Sequence, residues 1–173
     1  MANRQALREL QSRLAERMQA ARTRTPEQSW LAVECDRHGF LLPLAQAGEI
    51  FSLAALLPVP HTHRWFLGVA NLRGSLHGVV DLAAFFGLRR HHEAPRETSR
   101  LVAFNPSLEV NSALLVDRLA GLRNAGQLNA DESPAAAAPA FVGARYRDGD
   151  GRRWQELNLP ALAGDDDFLS IVG

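Results

Sequence analysis

The fold of this chain is decided by the stretch Phe66-Leu-Gly-Val-Ala-Asn-Leu-Arg-Gly-Ser-Leu-His-Gly-Val-Val-Asp-Leu-Ala-Ala-Phe-Phe-Gly87. Two apolar runs, at 66–73 and 76–80, flank Arg73-Gly74-Ser75 and predict two antiparallel strands joined by a tight turn. Asn71 and Gly74 suit that turn, because both residue types accept backbone conformations that other residues avoid. A short helix is predicted at 81–87, where the final glycine stands at the usual C-terminal cap position.

Further short strands are predicted on both sides of this stretch. The predicted strands are 29–35, 39–44 and 50–57 before it, and 100–105, 108–116, 117–123, 140–147 and 152–156 after it. Short helical segments are predicted at 45–50 and 157–163. Eight or more short strands separated by Gly, Pro and Asn turns are typical of closed β-barrels. The sequence therefore predicts an all-β protein, in which the polar connection 88–99 divides two lobes.

The two ends of the chain differ from this pattern. Residues 1–28 are predicted to form an amphipathic helix and a linker that ends the helix at Thr25-Pro26. The apolar residues of the predicted helix recur at three- and four-residue steps: Leu7, Leu10, Leu14, Met18 and Ala21. A lone helix of this length is marginal in water, so its apolar stripe needs a partner surface on the same chain or on another protein. Residues 130–139 are predicted to be a low-complexity linker, and 165–173 an acidic tail.

Composition narrows the classes of function. The chain has 173 residues with 19 basic and 19 acidic side chains, so it has no general attraction toward nucleic acid or anionic membrane. Cys35 is the sole cysteine, which excludes an intramolecular disulfide and fits a reducing compartment. The arginine-rich N-terminus lacks the apolar core of a signal peptide, and no apolar run is long enough to cross a membrane. We therefore expect a cytoplasmic protein without membrane insertion.

Two patterns contain residue types that take part in chemistry, but neither is complete. His61 and His63 supply two candidate metal ligands without a third at a suitable spacing. Ser75 and His77 lie on one face of a predicted strand, but Asp81 lies beyond its end and no nucleophile elbow surrounds them. The sequence therefore predicts no catalytic residue, no metal site and no cofactor.

Two other features favour turns and strands over binding sites. Asp148-Gly149-Asp150-Gly151 lacks the twelve-residue ligand series of a calcium loop and predicts a hairpin turn. Arg145, Tyr146 and Arg147 place basic and aromatic residues together, but they alternate between the two faces of a strand. A small β-barrel is also the shape of oligonucleotide-binding folds, so a nucleic-acid-binding module remains the alternative class. The zero net charge argues against it.

Residues 66–87 resemble the signature of the CheW-like coupling proteins. That signature is Gly-Val-x-Asn-Leu-Arg-Gly, three further residues, Pro-Val-x-Asp-Leu, and a short helix that ends in Phe-Gly. The residues that match at the right spacing are Gly68, Val69, Asn71, Leu72, Arg73, Gly74, Val79, Asp81, Leu82, Phe86 and Gly87. Gly78 stands where the family usually has proline. Weaker matches on either side extend the resemblance to residues 29–164.

The resemblance implies two small five-stranded β-barrels that share a hydrophobic seam. It implies a scaffold without enzymatic activity that couples methyl-accepting chemoreceptors to a CheA-type histidine kinase. One surface would bind the cytoplasmic tip of the receptor and another the regulatory domain of the kinase. The resemblance places partner binding at Ala47, Glu49, Gly68, Asn71, Arg73 and Gly74, with Arg73 paired to Glu49. Gly78 and the N-terminal helix indicate the branch that serves type IV pili and twitching motility.

Overall fold

The computed structural model describes residues 12–13, 28–89, 94–132 and 137–173, and most of its regular structure is β-strand. The strands are β1 (Ser29–Cys35), β2 (His38–Pro43), β3 (Ala47–Phe51), β4 (Phe66–Leu72), β5 (Ser75–Asp81), β6 (Arg100–Phe104), β7 (Ser112–Val116), β8 (Arg118–Asn124), β9 (Leu128–Ala130), β10 (Val142–Asp148) and β11 (Arg153–Leu157). The short helices are α1 (Leu82–Phe85), α2 (Leu159–Ala163) and α3 (Asp166–Leu169). The predicted all-β class is therefore confirmed, while most of the predicted N-terminal helix and part of the linker at 130–139 lie outside the described residues.

The strands form two sheets whose order does not follow the chain. One sheet has six strands in the order β8-β1-β2-β11-β10-β9, and the other has five in the order β3-β6-β7-β5-β4. The short strand β9 pairs with β10, so the six-stranded sheet has one strand more than the five expected. The chain passes between the sheets at 43–47 and 116–118, whereas β5 and β6, on either side of the connection 88–99, both belong to the five-stranded sheet. The expectation that this connection separates the lobes is therefore corrected.

Both sheets curl so that their opposite edges approach each other. Beyond β3, the backbone of Leu57 exchanges two hydrogen bonds with Val69 of β4, at 2.8 and 2.9 Å. In the other sheet, the edge strands β8 and β9 are joined directly by a 3₁₀ turn at Ala125–Gln127. The predicted helical turn at 45–50 is wrong, because Ala47 and Ile50 pair with β6 and draw this segment into the sheet. Tertiary pairing has overridden local preference there.

The core has three parts because the central strands bury both of their faces. In β7 every residue is buried, and alternate residues enter different clusters, Leu115 the interior of the five-stranded lobe and Leu114 the seam between the lobes. In β1, Trp30 lies inside the six-stranded lobe and Leu31 in the seam. Successive side chains of a strand point to opposite faces, so one apolar run fills two cores. The hydrophobic seam that the resemblance implies is present.

A buried charged cluster ties the two sheets together at one end of the seam. The guanidinium of Arg89 donates to Asp81 at 3.0 Å and to both carboxylate oxygens of Asp117 at 2.7 Å. Asp81 also caps α1 by accepting from the N–H of Ala84, and Asp117 accepts from the N–H of Asp36 at 2.7 Å. The cluster thus joins the end of β5, the crossing from β7 to β8, and the turn between β1 and β2.

The C-terminal residues belong to the folded domain rather than to a separate tail. Asp165 caps α3 by accepting from the N–H of Phe168, whose ring is buried in the seam. Val172 then forms a β-bridge with Thr62. The acidic run that the sequence shows is therefore the start of a helix that places one aromatic side chain in the core.

Replacing Arg89 by methionine is expected to destabilise the protein strongly. The side chains of Arg89, Asp81 and Asp117 are only 7%, 2% and 19% exposed. The change therefore leaves two carboxylates without their cation in a place where little water can solvate them. A loss of about 3 kcal/mol, or about 6–12 °C in Tm, follows from removing one partner of a buried ion cluster. Thermal unfolding followed by circular dichroism measures it. The control Arg118→Met removes an exposed partner of Glu34 and should keep the wild-type Tm; equal losses in both variants would contradict the role of the cluster.

Cys35 is expected to be unreactive in the native protein. It is 1% exposed, and burial together with the nearby Asp117 carboxylate raises the pKa of its thiol, so little thiolate forms. A chromogenic disulfide reagent at pH 8 should label it only after denaturant is added. Rapid labelling of folded protein would show that the seam opens readily at β1.

Candidate partner-binding surface

The hairpin between β4 and β5 ends in a two-residue turn with an uncommon backbone. Leu72 pairs with Ser75, and the intervening Arg73 and Gly74 have φ values of +50° and +86°. Positive φ at both positions is the signature of the type I′ turn that matches the twist of the flanking strands. The side chain of Asn71 accepts a hydrogen bond from the N–H of Gly74 at 2.7 Å. Asn71 and Gly74 therefore hold a turn that presents Arg73 to solvent.

The predicted pair of Arg73 and Glu49 is formed. Their side chains meet at 2.7 Å, with 75% of the arginine and 43% of the glutamate side chain exposed. Glu49 belongs to β3 and Arg73 follows β4, so the pair spans the place where the five-stranded sheet closes on itself. Exposed ion pairs contribute about 0–1 kcal/mol to stability. The pair thus does little for the fold, and its charged atoms remain accessible.

Gly68 and Ala47 lie beneath this surface rather than on it. Gly68 has a φ of +124°, and a Cβ atom there would lie 2.2 Å from the carbonyl oxygen of Leu57. Only glycine permits the close approach of the two backbones at the closing bridge. Ala47 is 8% exposed and pairs with Phe104. Of the predicted site residues, Glu49, Asn71, Arg73 and Gly74 are exposed, while these two shape the strands that carry them.

Exposed apolar side chains lie beside the ion pair. Leu76 is opposite Asn71, and Leu57 is opposite Val69, so each couple shares a face of the sheet. That face points outward, because the alternating residues Ala70 and Leu72 are in the core. We call the surface formed by Leu57, Val69, Asn71, Arg73 and Leu76 the hairpin patch. Leu57 and Leu76 are 68% and 64% exposed, and sequence reasoning missed both of them.

The hairpin patch has apolar side chains at its centre and charged ones at its rim, an arrangement that is typical of protein–protein interfaces. Alternation along β5 could have identified Leu76 as exposed. Leu76 is three residues from the core residue Val79, so the two side chains point to opposite faces of the strand, and Leu76 lies opposite the exposed Asn71. No comparable signal existed for Leu57. It lies in an irregular segment, and its outward position depends on the bridge to β4.

Comparison with known proteins agrees with this geometry. A model of the CheW-like domain family matches residues 29–167. The chain belongs to the CheW-like family. Proteins of this family are scaffold adaptors and not enzymes, which confirms the prediction made from residues 66–87.

Two individual proteins show the likeness of this CheW-like chain in sequence and in structure. The protein PilI of Pseudomonas aeruginosa is 28% identical over 151 residues, covering 84% of this chain and 82% of that protein. The crystal structure of the scaffolding protein TtCheW from Thermoanaerobacter tengcongensis superposes with a TM-score of 0.63 at 18% identity, covering 76% of this chain and 89% of that one. The second likeness concerns the fold alone.

The other patterns considered in the sequence have structural roles in this CheW-like domain. Asp81 is turned into the seam toward Arg89, so it does not form a triad with Ser75 and His77. Asp148 accepts hydrogen bonds from the N–H groups of Asp150 and Arg152, which confirms the predicted turn. Among the described residues, no three His, Cys, Asp or Glu side chains are placed to hold a metal ion, and no helix is long and apolar enough to cross a membrane.

Replacing Gly68 by alanine is expected to destabilise the five-stranded lobe. The added methyl group would overlap the backbone of Leu57, and the positive φ adds strain, so a loss of at least about 2 kcal/mol is expected. Chemical denaturation measures this loss. Gly149→Ala is the matched control, since a Cβ atom at Gly149 would meet nothing within 4 Å. If Gly68→Ala were as stable as the control, the closing bridge would not constrain the sheet.

Proposed function

We propose that this CheW-like protein couples methyl-accepting chemoreceptors to a CheA-type histidine kinase in a chemosensory system that controls type IV pili and twitching motility. The family match and the likeness to PilI support the proposal. The observation that carries it is the exposed pair of Arg73 and Glu49, held on a tightly constrained turn beside two exposed leucines. The unpaired, buried Cys35 supports placing the protein in the reducing cytoplasm.

The hairpin patch is suited to recognition because its shape exists before a partner arrives. The turn of Arg73 and Gly74 is fixed by Asn71, so little conformational entropy is lost when a partner binds. Burying an exposed leucine contributes up to about 2 kcal/mol, and the arginine adds orientation through charge-assisted hydrogen bonds. A patch of this kind provides a modest single contact. In a coupling protein, such contacts gain strength when several act together in an assembly.

A scaffold that joins two proteins needs a second surface, which we place on the other lobe. The six-stranded sheet contains the first and the last strand of the domain, β1 and β11, and lies across the seam from the five-stranded lobe that carries the hairpin patch. The shared seam and the Arg89 cluster keep the two lobes in one arrangement. The protein would thus set the geometry between receptor tip and kinase regulatory domain, while all chemistry belongs to the kinase.

Replacing Arg73 by glutamate is expected to weaken partner binding without changing the fold. The variant removes the guanidinium and repels Glu49, so the affinity for the kinase regulatory domain or the receptor tip should fall about tenfold. Tm should stay unchanged because the pair is exposed. Isothermal titration with each purified partner measures the affinities.

Arg37→Glu is the matched control for the partner whose affinity Arg73→Glu lowers, because Arg37 also occupies an exposed two-residue hairpin turn with positive φ but lies in the other lobe. The double variant Glu49→Arg with Arg73→Glu restores a pair with its charges exchanged, and it should still bind weakly. Full binding by Arg73→Glu, or full recovery in the double variant, would contradict recognition of Arg73 itself. Salt-sensitive oligonucleotide binding by a protein that binds neither partner would favour the nucleic-acid alternative.

A further inference from the structure

We propose that residues 1–27 dock onto their own domain and lay an apolar helical stripe into an aromatic groove at the seam. The groove has a volume of about 500 Å³ and is lined chiefly by His63, Trp65, Phe85, Phe86, Pro139 and Phe141. We call it the seam groove. The proposal does not depend on the partners named above, since it concerns the isolated chain.

The floor of the seam groove is made of partly exposed aromatic rings that pack on buried ones. Trp65 stacks on Phe168 with ring centres 6.3 Å apart, and Phe168 stacks in turn on the buried Phe104 at 5.7 Å. The rings of Trp65 and Phe85 meet edge to face, with their centres 5.2 Å apart. Phe168 and Phe104 are buried, whereas Trp65, Phe85 and Phe86 remain partly exposed. Covering such a set of large apolar rings with a further apolar surface is favourable, because it removes apolar area from water.

The N-terminal segment enters the domain beside the seam groove. Gln28 donates a hydrogen bond from its side chain to Glu156 at 3.2 Å. The next residue after Glu156, Leu157, pairs with Val142, which lines both the seam groove and the other apolar groove of the domain. A linker of the five residues 23–27 reaches up to about 17 Å, and a helix over 4–22 is about 28 Å long. The segment is therefore tethered at the border of the groove and has ample length to lie along it.

Charge favours the seam groove over the other apolar groove of the domain. Residues 1–27 contain six arginines and three glutamates, so the segment is basic. The seam groove is bordered by Asp167, which follows Asp165 and Asp166 in the capped turn of α3. The other groove, about 610 Å³ in volume, is lined by Arg37, Arg145, Arg152 and Arg153 and by no carboxylate of the described residues. Two of these arginines are paired with carboxylates, Arg152 with Glu34 and Arg153 with Asp131. The basic segment is still attracted more strongly to the seam groove, because of the two grooves only the seam groove has a carboxylate among its described lining residues.

Docking would also stabilise the helix predicted in the segment itself. A single amphipathic helix of this length forms poorly in water unless its apolar face is covered. In the seam groove, the stripe that includes Leu10, Leu14 and Met18 would meet Trp65 and Phe85, while the arginines lie toward the aspartates and solvent. The helix and the groove would then cover each other.

Trp65 provides a direct optical test in the full-length protein. The chain has three tryptophans, and Trp30 and Trp154 are 1% and 2% exposed, so quenching by acrylamide reports chiefly on Trp65. Leu14→Glu places a carboxylate in the apolar stripe. Ser12→Glu adds the same charge two residues away, on the opposite side of a helix. Leu14→Glu should raise the quenching constant about twofold by shifting the population to the undocked state, while Ser12→Glu keeps the wild-type value.

Hydrogen exchange read by mass spectrometry gives a second readout that needs no variant. Residues 7–21 of the wild type should exchange slowly, and those of Leu14→Glu fast, with the strands unchanged in both. Trp65→Phe should abolish the difference in quenching between the two glutamate variants. The proposal would be overturned by equal quenching in the two glutamate variants, or by fast exchange of residues 7–21 in the wild type. It would also be overturned by protection that is lost on dilution, since such protection requires a second copy of the chain. Protection that appears only after the kinase domain is added would overturn it as well.

Discussion

The two lobes are held in one arrangement by the contact of Arg89 with Asp81 and Asp117. Each carboxylate also stabilises a second feature, since Asp81 caps α1 and Asp117 fixes the turn that begins at Asp36. A guanidinium can bind both carboxylates because its fork offers several donors in one plane. Burial makes this geometry specific, since any rearrangement of the lobes would leave a charge without a partner in a region of low water content. The relative position of the two lobes follows from this requirement.

The apolar seam supplies the bulk of the association between the lobes, and the charged cluster sets its register. Strands such as β7 contribute alternate side chains to the interior of their own lobe and to the seam. Neither lobe can therefore move away without exposing residues that belong to a continuous core. The last helix adds Phe168 to the same seam, so the C-terminus completes a core that begins with β1. For a scaffold, this rigidity matters because it fixes the angle between two bound proteins.

The surface features that we propose for recognition lie where backbone constraint and exposure coincide. Gly68 and Ala47 are buried and determine the course of their strands, whereas Arg73 projects from a turn with positive φ into solvent. The same short sequence thus carries residues of two kinds, those that build the sheet closure and those that are displayed by it. The seam groove differs, because its aromatic lining comes from three separate segments and exists only in the assembled domain.

Local chemistry in the sequence determined the strands of 66–87, the hairpin turn with Asn71 and Gly74 and the cap at Gly87, whereas the pairing of Arg73 with Glu49 was inferred from the resemblance to the CheW-like family. Turns and caps depend on neighbouring residues, so they can be inferred from them. Tertiary structure alone decided that β11 pairs in parallel with β2, that residues 45–50 join a sheet, and that Asp81 faces Arg89. It also decided that Leu57 is displayed and Phe168 buried. These outcomes depend on which distant segments share a core, and periodicity along the chain carries no information about that choice.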